Sequence, residues 1–188
     1  NLNRAASKNR KSKTEKNKFS KHKDIMACLL YTDRSLKDFM KAYAKRKDYE
    51  NTIFIITGDH RLIPVPQKDN LSRFHVPFYI YSPLLKRTAI FKSISSHTDV
   101  TPSLVSFLTE NYNLNKLEKT TWIAKGLDTV RKFRNIHTIP LMRYKGSIND
   151  YIYNNYFYSD GNVSEIDEDF NLIDSGSGMK SKISSSFN

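Results

Sequence analysis

The chain has 188 residues, enough for one ordinary domain with a real core, and 38% hydrophobic with 12% aromatic residues fits a folded body. Its formal net charge of +12 points toward an anionic partner: nucleic acid, a membrane surface or a phosphorylated substrate. Cys28 is the only cysteine, which excludes a disulfide framework and a Cys-rich metal site, and no run approaches the roughly 18 apolar residues a membrane span needs.

The charge is concentrated at one end. Residues 1–24 hold nine Lys or Arg against Glu15 and Asp24, a net +7 of the +12 total, which leaves +5 for the other 164 residues. This composition predicts a flexible basic arm, solvated or in contact with phosphate or anionic lipid. It has no apolar core of a signal peptide, so any address outside the cytosol is expected to lie outside this chain. Residues 25–173 are then expected to form the folded part, with 174–188, Gly- and Ser-rich, as a mobile tail.

Within the folded part, Ile25, Leu29, Leu36, Phe39, Met40 and Tyr43 recur at spacings of three and four and predict an amphipathic helix. The pattern allows a break near Thr32 and Asp33, with Asp33 capping a second segment. "NTIFIITGDH" follows, a short apolar run that reads as a strand buried on both faces, and helix then buried strand is the rhythm of an α/β protein. "RLIPVPQKDNLS" has two prolines and no period, so it reads as a surface loop. "FHVPFYIYS" is a second strand, with Pro77 near its start where a missing donor is tolerable. In "HTDVTPSLVSFLTENY", Thr101 reads as an N-cap and Pro102 as the first helical residue, ahead of an apolar stripe at Leu104, Val105 and Leu108. Beyond Leu117 come a turn at Gly126, a short apolar run over residues 139–142, and aromatic alternation around Asp160-Gly161, the signal of a hairpin. Small antiparallel strands are expected there.

The chemistry-bearing residues of the first strand are Asp59 and His60, at its carboxyl end, where loops diverge and ligands bind in open α/β sheets. A carboxylate oxygen and an imidazole nitrogen both suit zinc or manganese, and Gly58 would let the backbone turn sharply enough to aim both at one ion. For the bare dipeptide, a helix cap followed by a surface histidine is the commoner reading.

Together, "NTIFIITGDHR", "RFHVPFYIYSP" and "SHTDVTPSLVSFL" resemble, in order, the C-terminal part of the sulfatase-like group of the alkaline phosphatase superfamily, nearest to the lipoteichoic acid synthase or phosphoglycerol transferase type. The resemblance covers roughly residues 25–145. It implies part of an alkaline-phosphatase-like α/β domain, a sheet flanked by helices with a small antiparallel C-terminal part. It also implies a metal-dependent hydrolase or phosphotransferase acting on phosphate or sulfate esters. The family's metal-binding Asp-His pair maps onto Asp59 and His60, holding zinc, manganese or magnesium. The metal would polarise the ester and help ionise a Thr or Ser nucleophile. That nucleophile lies far upstream of Asp-His in the family and has no counterpart here: Cys28 is followed by Leu29, Leu30 and Tyr31 rather than the Cys-x-Pro-x-Arg of formylglycine sulfatases. The chain alone is therefore expected to be inactive.

The resemblance makes His75, His97 and Arg61 substrate-binding candidates. His75 reads as a contact to the anionic substrate or an ordinary strand-end histidine, and His97 as a metal or substrate contact or part of a helix start. Arg61 reads as a partner of an ester oxygen or a surface charge. His137 and His22 are read as structural or solvated, and Trp122 as a core residue. A lipid-linked substrate, membrane association through an upstream segment and an extracytoplasmic location are inherited from the resemblance alone. Two rivals stand beside it: a basic nucleic-acid- or anion-binding module built on the arm and "KGLDTVRKFR", and a catalytically inactive scaffold of the same fold. No recognised nucleic-acid motif is present, so no nucleic-acid partner is expected.

Overall fold

The structure, a computed structural model, describes residues 22–63 and 65–175, so the expected arm (1–21) and tail (176–188) lie outside the described residues. The fold is mixed α/β, and the chain divides into two units: residues 1–66 with 77–86, and residues 67–76 with 87–188.

In the first unit, helix α1 runs from Lys23 to Tyr43. Asp24 in its first turn and Lys41 in its last complement the helix dipole. The break expected near Thr32 is absent. The Thr32 hydroxyl donates to the Cys28 carbonyl and the Ser35 hydroxyl to the Tyr31 carbonyl, both at 2.9 Å, so these polar side chains bond back along the helix instead of interrupting it. Lys23 and Asp24, expected in the arm, belong to α1.

Strand β1 (Phe54–Thr57) pairs antiparallel with β2 (Phe78–Tyr81), setting Phe54 opposite Tyr81 and Thr57 opposite Phe78. Phe54 is buried, with edge-on ring contacts to Phe39 (6.5 Å) and Tyr43 (5.0 Å) of α1 and a tilted one to Tyr81 at 6.0 Å. Burial of β1 on both faces is not realised. Ile55 and Ile56 are half-buried and Thr57 is exposed, because β2 is the only strand that pairs with β1 among the described residues.

In the second unit, helix α2 (Val100–Tyr112) follows a single helical turn at His97–Asp99. The helical segment starts earlier than Thr101. Ser96 is the cap: its hydroxyl accepts the Thr98 N–H at 3.2 Å, while the Asp99 carboxylate accepts the Ser96 N–H at 2.8 Å. This reciprocal capping box satisfies two amides that the helix start leaves without partners, and it places Pro102 inside the first turn of α2, where a missing N–H costs nothing.

Five short strands then form an antiparallel meander: β3 (Thr138–Leu141), β4 (Asp150–Tyr153), β5 (Tyr156–Ser159), β6 (Asn162–Ile166) and β7 (Leu172–Asp174). Pro140 sits on the edge strand β3, where its absent donor is harmless. Ile139, Ile152 and Phe157 face one another across β3, β4 and β5 and are buried, while Tyr151, Tyr153, Tyr156 and Tyr158 occupy the alternate positions and stay half-exposed. The β5–β6 turn is the expected Asp160-Gly161, with φ of 50° and 76° that match the twist of a tight hairpin. Asp174, assigned to the tail, is the last residue of β7.

The core joins Leu71, Ile94, Ile139, Ile152, Phe157 and Ile166. Leu71 comes from the segment read as a surface loop. It is fully buried because its neighbours fasten that segment to the sheet: Asp69 accepts the Ser72 N–H and hydroxyl, both at 2.7 Å, Asn70 donates to Ser159 at 3.2 Å, and Lys68 donates to Asn171. Asp150 is also fully buried, with the Arg143 Nε at 2.8 Å; the two meet as charges rather than as a well-aligned hydrogen bond, and Arg143 reaches on to Asp160.

Candidate metal and ester-binding residues

Asp59 and His60 lie just past the end of β1, and both side chains are open to solvent. The turn that presents them does not use a left-handed glycine: among the described residues the glycines with positive φ are Gly126, Gly146 and Gly161, and Gly58 is not one of them. The His60 Nδ1 is 2.6 Å from the Arg61 carbonyl oxygen. A carbonyl can only accept, so Nδ1 is the donor in that contact. The His60 Nε2 lies 3.7 Å from Asp59 Oδ2. Two ligand atoms on a tetrahedral ion with bonds of about 2.1 Å stand roughly 3.4 Å apart, so the pair fits one divalent ion with little adjustment. An imidazole ligand whose other N–H is fixed by a backbone carbonyl is also how metal-binding histidines are commonly oriented. Among the described residues, no group of three or more His, Cys, Asp or Glu is placed to hold a metal ion.

Arg61 is half-buried and donates from Nη1 to the Ile63 carbonyl at 3.0 Å, which leaves part of its fork for an anion. His75 and His97 belong to the second unit and are both exposed. The His75 ring is 4.5 Å from the Phe170 ring. His97 opens the single turn ahead of α2. His137 is buried, in keeping with a structural role, with Nδ1 at 3.5 Å from Asp99 Oδ1. His22 precedes α1, and Trp122 is half-buried, less enclosed than a core residue. Asp99 and Asp128 are both buried; Asp99 opens the Asp-x-x-Pro-Ser-Leu stretch of the third resembling motif, and its Ser-x-x-Asp spacing from Ser96 is a legible capping signal, whereas nothing in the sequence marks Asp128. Hydrogen bonds from the Arg134 guanidinium, at 2.7 and 2.9 Å, hold the Asp128 carboxyl down to about 2 against the cost of its burial.

A family model described as Sulfatase matches residues 3–109, more than half of the chain. The chain belongs to the Sulfatase family. The matched segment carries Asp59, His60, Arg61, His75 and His97 and ends within α2, ahead of the five-stranded sheet. No curated protein and no solved structure matches the chain. Membership of the Sulfatase family places the protein among enzymes of sulfate- and phosphate-ester chemistry, hydrolytic or transferring, that generally use divalent metals. Among the described residues, no helix is long and apolar enough to cross a membrane.

Proposed function

We propose that Asp59 and His60 are the divalent-metal ligands of a sulfatase-like enzyme acting on phosphate or sulfate esters, with a phosphoglycerol- or phosphoethanolamine-type transferase or hydrolase as the specific activity. The supporting observation is the placement of the His60 ring beside the Asp59 carboxylate just past the end of β1, with Nε2 at 3.7 Å from Oδ2. Zinc, manganese or magnesium bound there would polarise the ester and favour ionisation of a hydroxyl nucleophile supplied from outside this chain. The chain's own contributions are distinct. Asp59 brings the negative charge that attracts the ion, the Arg61 carbonyl accepts from the His60 ring and orients it, and the remaining Arg61 donors suit an ester oxygen. His75 and His97 stay substrate-contact candidates on the motif resemblance alone. A lipid-linked substrate and an extracytoplasmic, membrane-associated setting belong to the same reading and rest on the motif resemblance.

Calorimetric titration with Mn²⁺ and Zn²⁺ tests the metal assignment. Asp59→Ala and His60→Ala are each expected to weaken binding on the order of 10-fold or more. Unchanged affinity in both variants would sink it. The second reading is a catalytically inactive scaffold of the same fold. Metal binding without turnover of aryl phosphate or aryl sulfate, once the missing nucleophile segment is supplied, would select it.

A further inference from the structure

The five-stranded sheet has a face that its core does not use. With Ile139, Ile152, Phe157 and Ile166 turned to the core, the alternate positions hold four tyrosines on β4 and β5, and Glu165 is the one charged residue at any of them. The open face of an antiparallel sheet is ordinarily polar, and this chain has 31 Lys and Arg to place there, so an aromatic face with a lone carboxylate is a selected surface. Register assembles one row of it. Thr138 stands opposite Tyr153, Tyr153 opposite Tyr156, Tyr156 opposite Glu165, and Glu165 opposite Ile173. Opposed side chains in such pairs have Cβ atoms about 5 Å apart, so Glu165 and Tyr156 are immediate neighbours. The Tyr153 ring stacks on Tyr151 at 6.4 Å. Tyr153 and Tyr156 are half-buried, while Thr138, Glu165 and Ile173 are exposed.

At its β7 end the row opens into a groove of about 390 Å³ lined by Phe133 and Ile173, by Glu165, Asp167 and Glu168, and by Lys132. Three carboxylates against one lysine give this lining a net charge of −2 on a chain of +12. Asp167 accepts the Asp169 and Asn171 N–H groups at 2.9 and 2.8 Å, and Glu168 meets Lys92 at 3.1 Å. Glu165 has no ion pair among the described residues. We propose that the row and the groove form a docking surface for an arginine-bearing extended segment of a partner protein. A guanidinium can lie over the Tyr156 ring and donate its fork to the Glu165 carboxylate beside it, which a compact ammonium does less well. An apolar neighbour in the same segment then covers Phe133 and Ile173. Charge decides the sign of the partner: an anionic one would meet the acidic groove, whereas a cationic one meets on this face the local opposite of the chain's overall charge.

The probe is a fluorescein-labelled peptide of alternating arginine and serine, titrated with the full chain at low salt and followed by fluorescence anisotropy. It should bind, and the same peptide with glutamate in place of arginine should not. Glu165→Lys should weaken binding on the order of 10-fold, and Tyr156→Leu about threefold or more, while Tyr156→Phe, which keeps the ring face, should stay within about twofold of the parent. Amide exchange in β4 and β5 reports whether Tyr156→Leu disturbs the sheet; if it does, Glu165→Lys decides, because that position is exposed. No binding of the arginine peptide to the parent, tighter binding of the glutamate peptide, or parental affinity in Glu165→Lys overturns the proposal. Equal loss in the Phe and Leu variants removes the ring from the contact and overturns it too. A dimer on a sizing column that Glu165→Lys disperses gives the face to a second copy of the chain instead.

Discussion

Asp128 is a buried carboxylate kept charged by the Arg134 fork, a Val130 N–H at 3.0 Å and the Ser93 hydroxyl at 3.4 Å. Its pKa is depressed to about 2, so the fold favours the ionised form. The stabilisation is fully present above the ordinary carboxylate range near 4 and is lost as pH falls through about 2. Asp160 and Asp167 are shifted the same way, by Arg143 and by Asn171 respectively, and add the same sign. Chemical denaturation between pH 5 and pH 2 should therefore show falling stability, and Asp128→Asn should be less stable at pH 7 with a flatter slope in acid. A parental slope in the variant would contradict this account. At the same scale, Gly126→Ala should destabilise by about 1–3 kcal/mol in a thermal melt, from a positive φ and the 3.2 Å approach to Ser103. These residues were hard to read in the sequence. An aspartate followed six positions later by an arginine has no local signature, and Thr101-Pro102 mimics a helix start better than the Ser96 and Asp99 pair that forms it, because proline at the first helical position is the stronger statistical cue.

Elements were legible where a period or a turn residue fixed them and illegible where distant packing did. The spacing from Ile25 to Tyr43 gave α1, and only the hydroxyl back-bonds of Thr32 and Ser35 showed that polar residues need not break it. Asp160-Gly161 marked its hairpin because both residues tolerate the left-handed backbone the turn demands. Leu71 could not be foreseen. Prolines and polar neighbours give its segment the composition of a loop, and its burial comes from Ile94, Ile139 and the strands beyond, far along the chain. Leu71→Ala should cost about 2–5 kcal/mol and Phe157→Ala about 3–5 kcal/mol, as truncations in a packed core do. Urea denaturation followed by far-UV circular dichroism measures both, and a Leu71→Ala loss below that range would mean the segment is not anchored.

For the whole molecule, the sequence pointed correctly to a mixed α/β fold with an antiparallel C-terminal part, and its three ordered motifs pointed to the family that the Sulfatase match establishes. It could not show that β1 would be left half-covered, since an apolar run reports what a strand tolerates and not what is present to cover it. Buried apolar residues concentrate in the second unit, while Phe54 is the one buried apolar residue of the first among the described residues. Hydrogen exchange should accordingly protect the amides of β4 and β5 far longer than those of β1 and β2, and equal protection would refute that difference. Divalent-metal removal by a chelator should leave the slow-exchanging amides of the meander unchanged, since Asp59 and His60 are exposed and take no part in its core.

The path of the backbone through residues 67–76 has one more effect. The polypeptide leaves the first unit after residue 66, contributes Leu71 to the second, and returns at residue 77 to form β2. The first unit is therefore written in two separated stretches of sequence. During synthesis β1 must wait for its partner strand until residue 81 has emerged, and no single cut of the chain can separate the two units. A protease nick between residues 61 and 66 should leave both new ends in place, one by strand pairing and the other by the buried leucine, and the nicked protein should elute undivided from a sizing column.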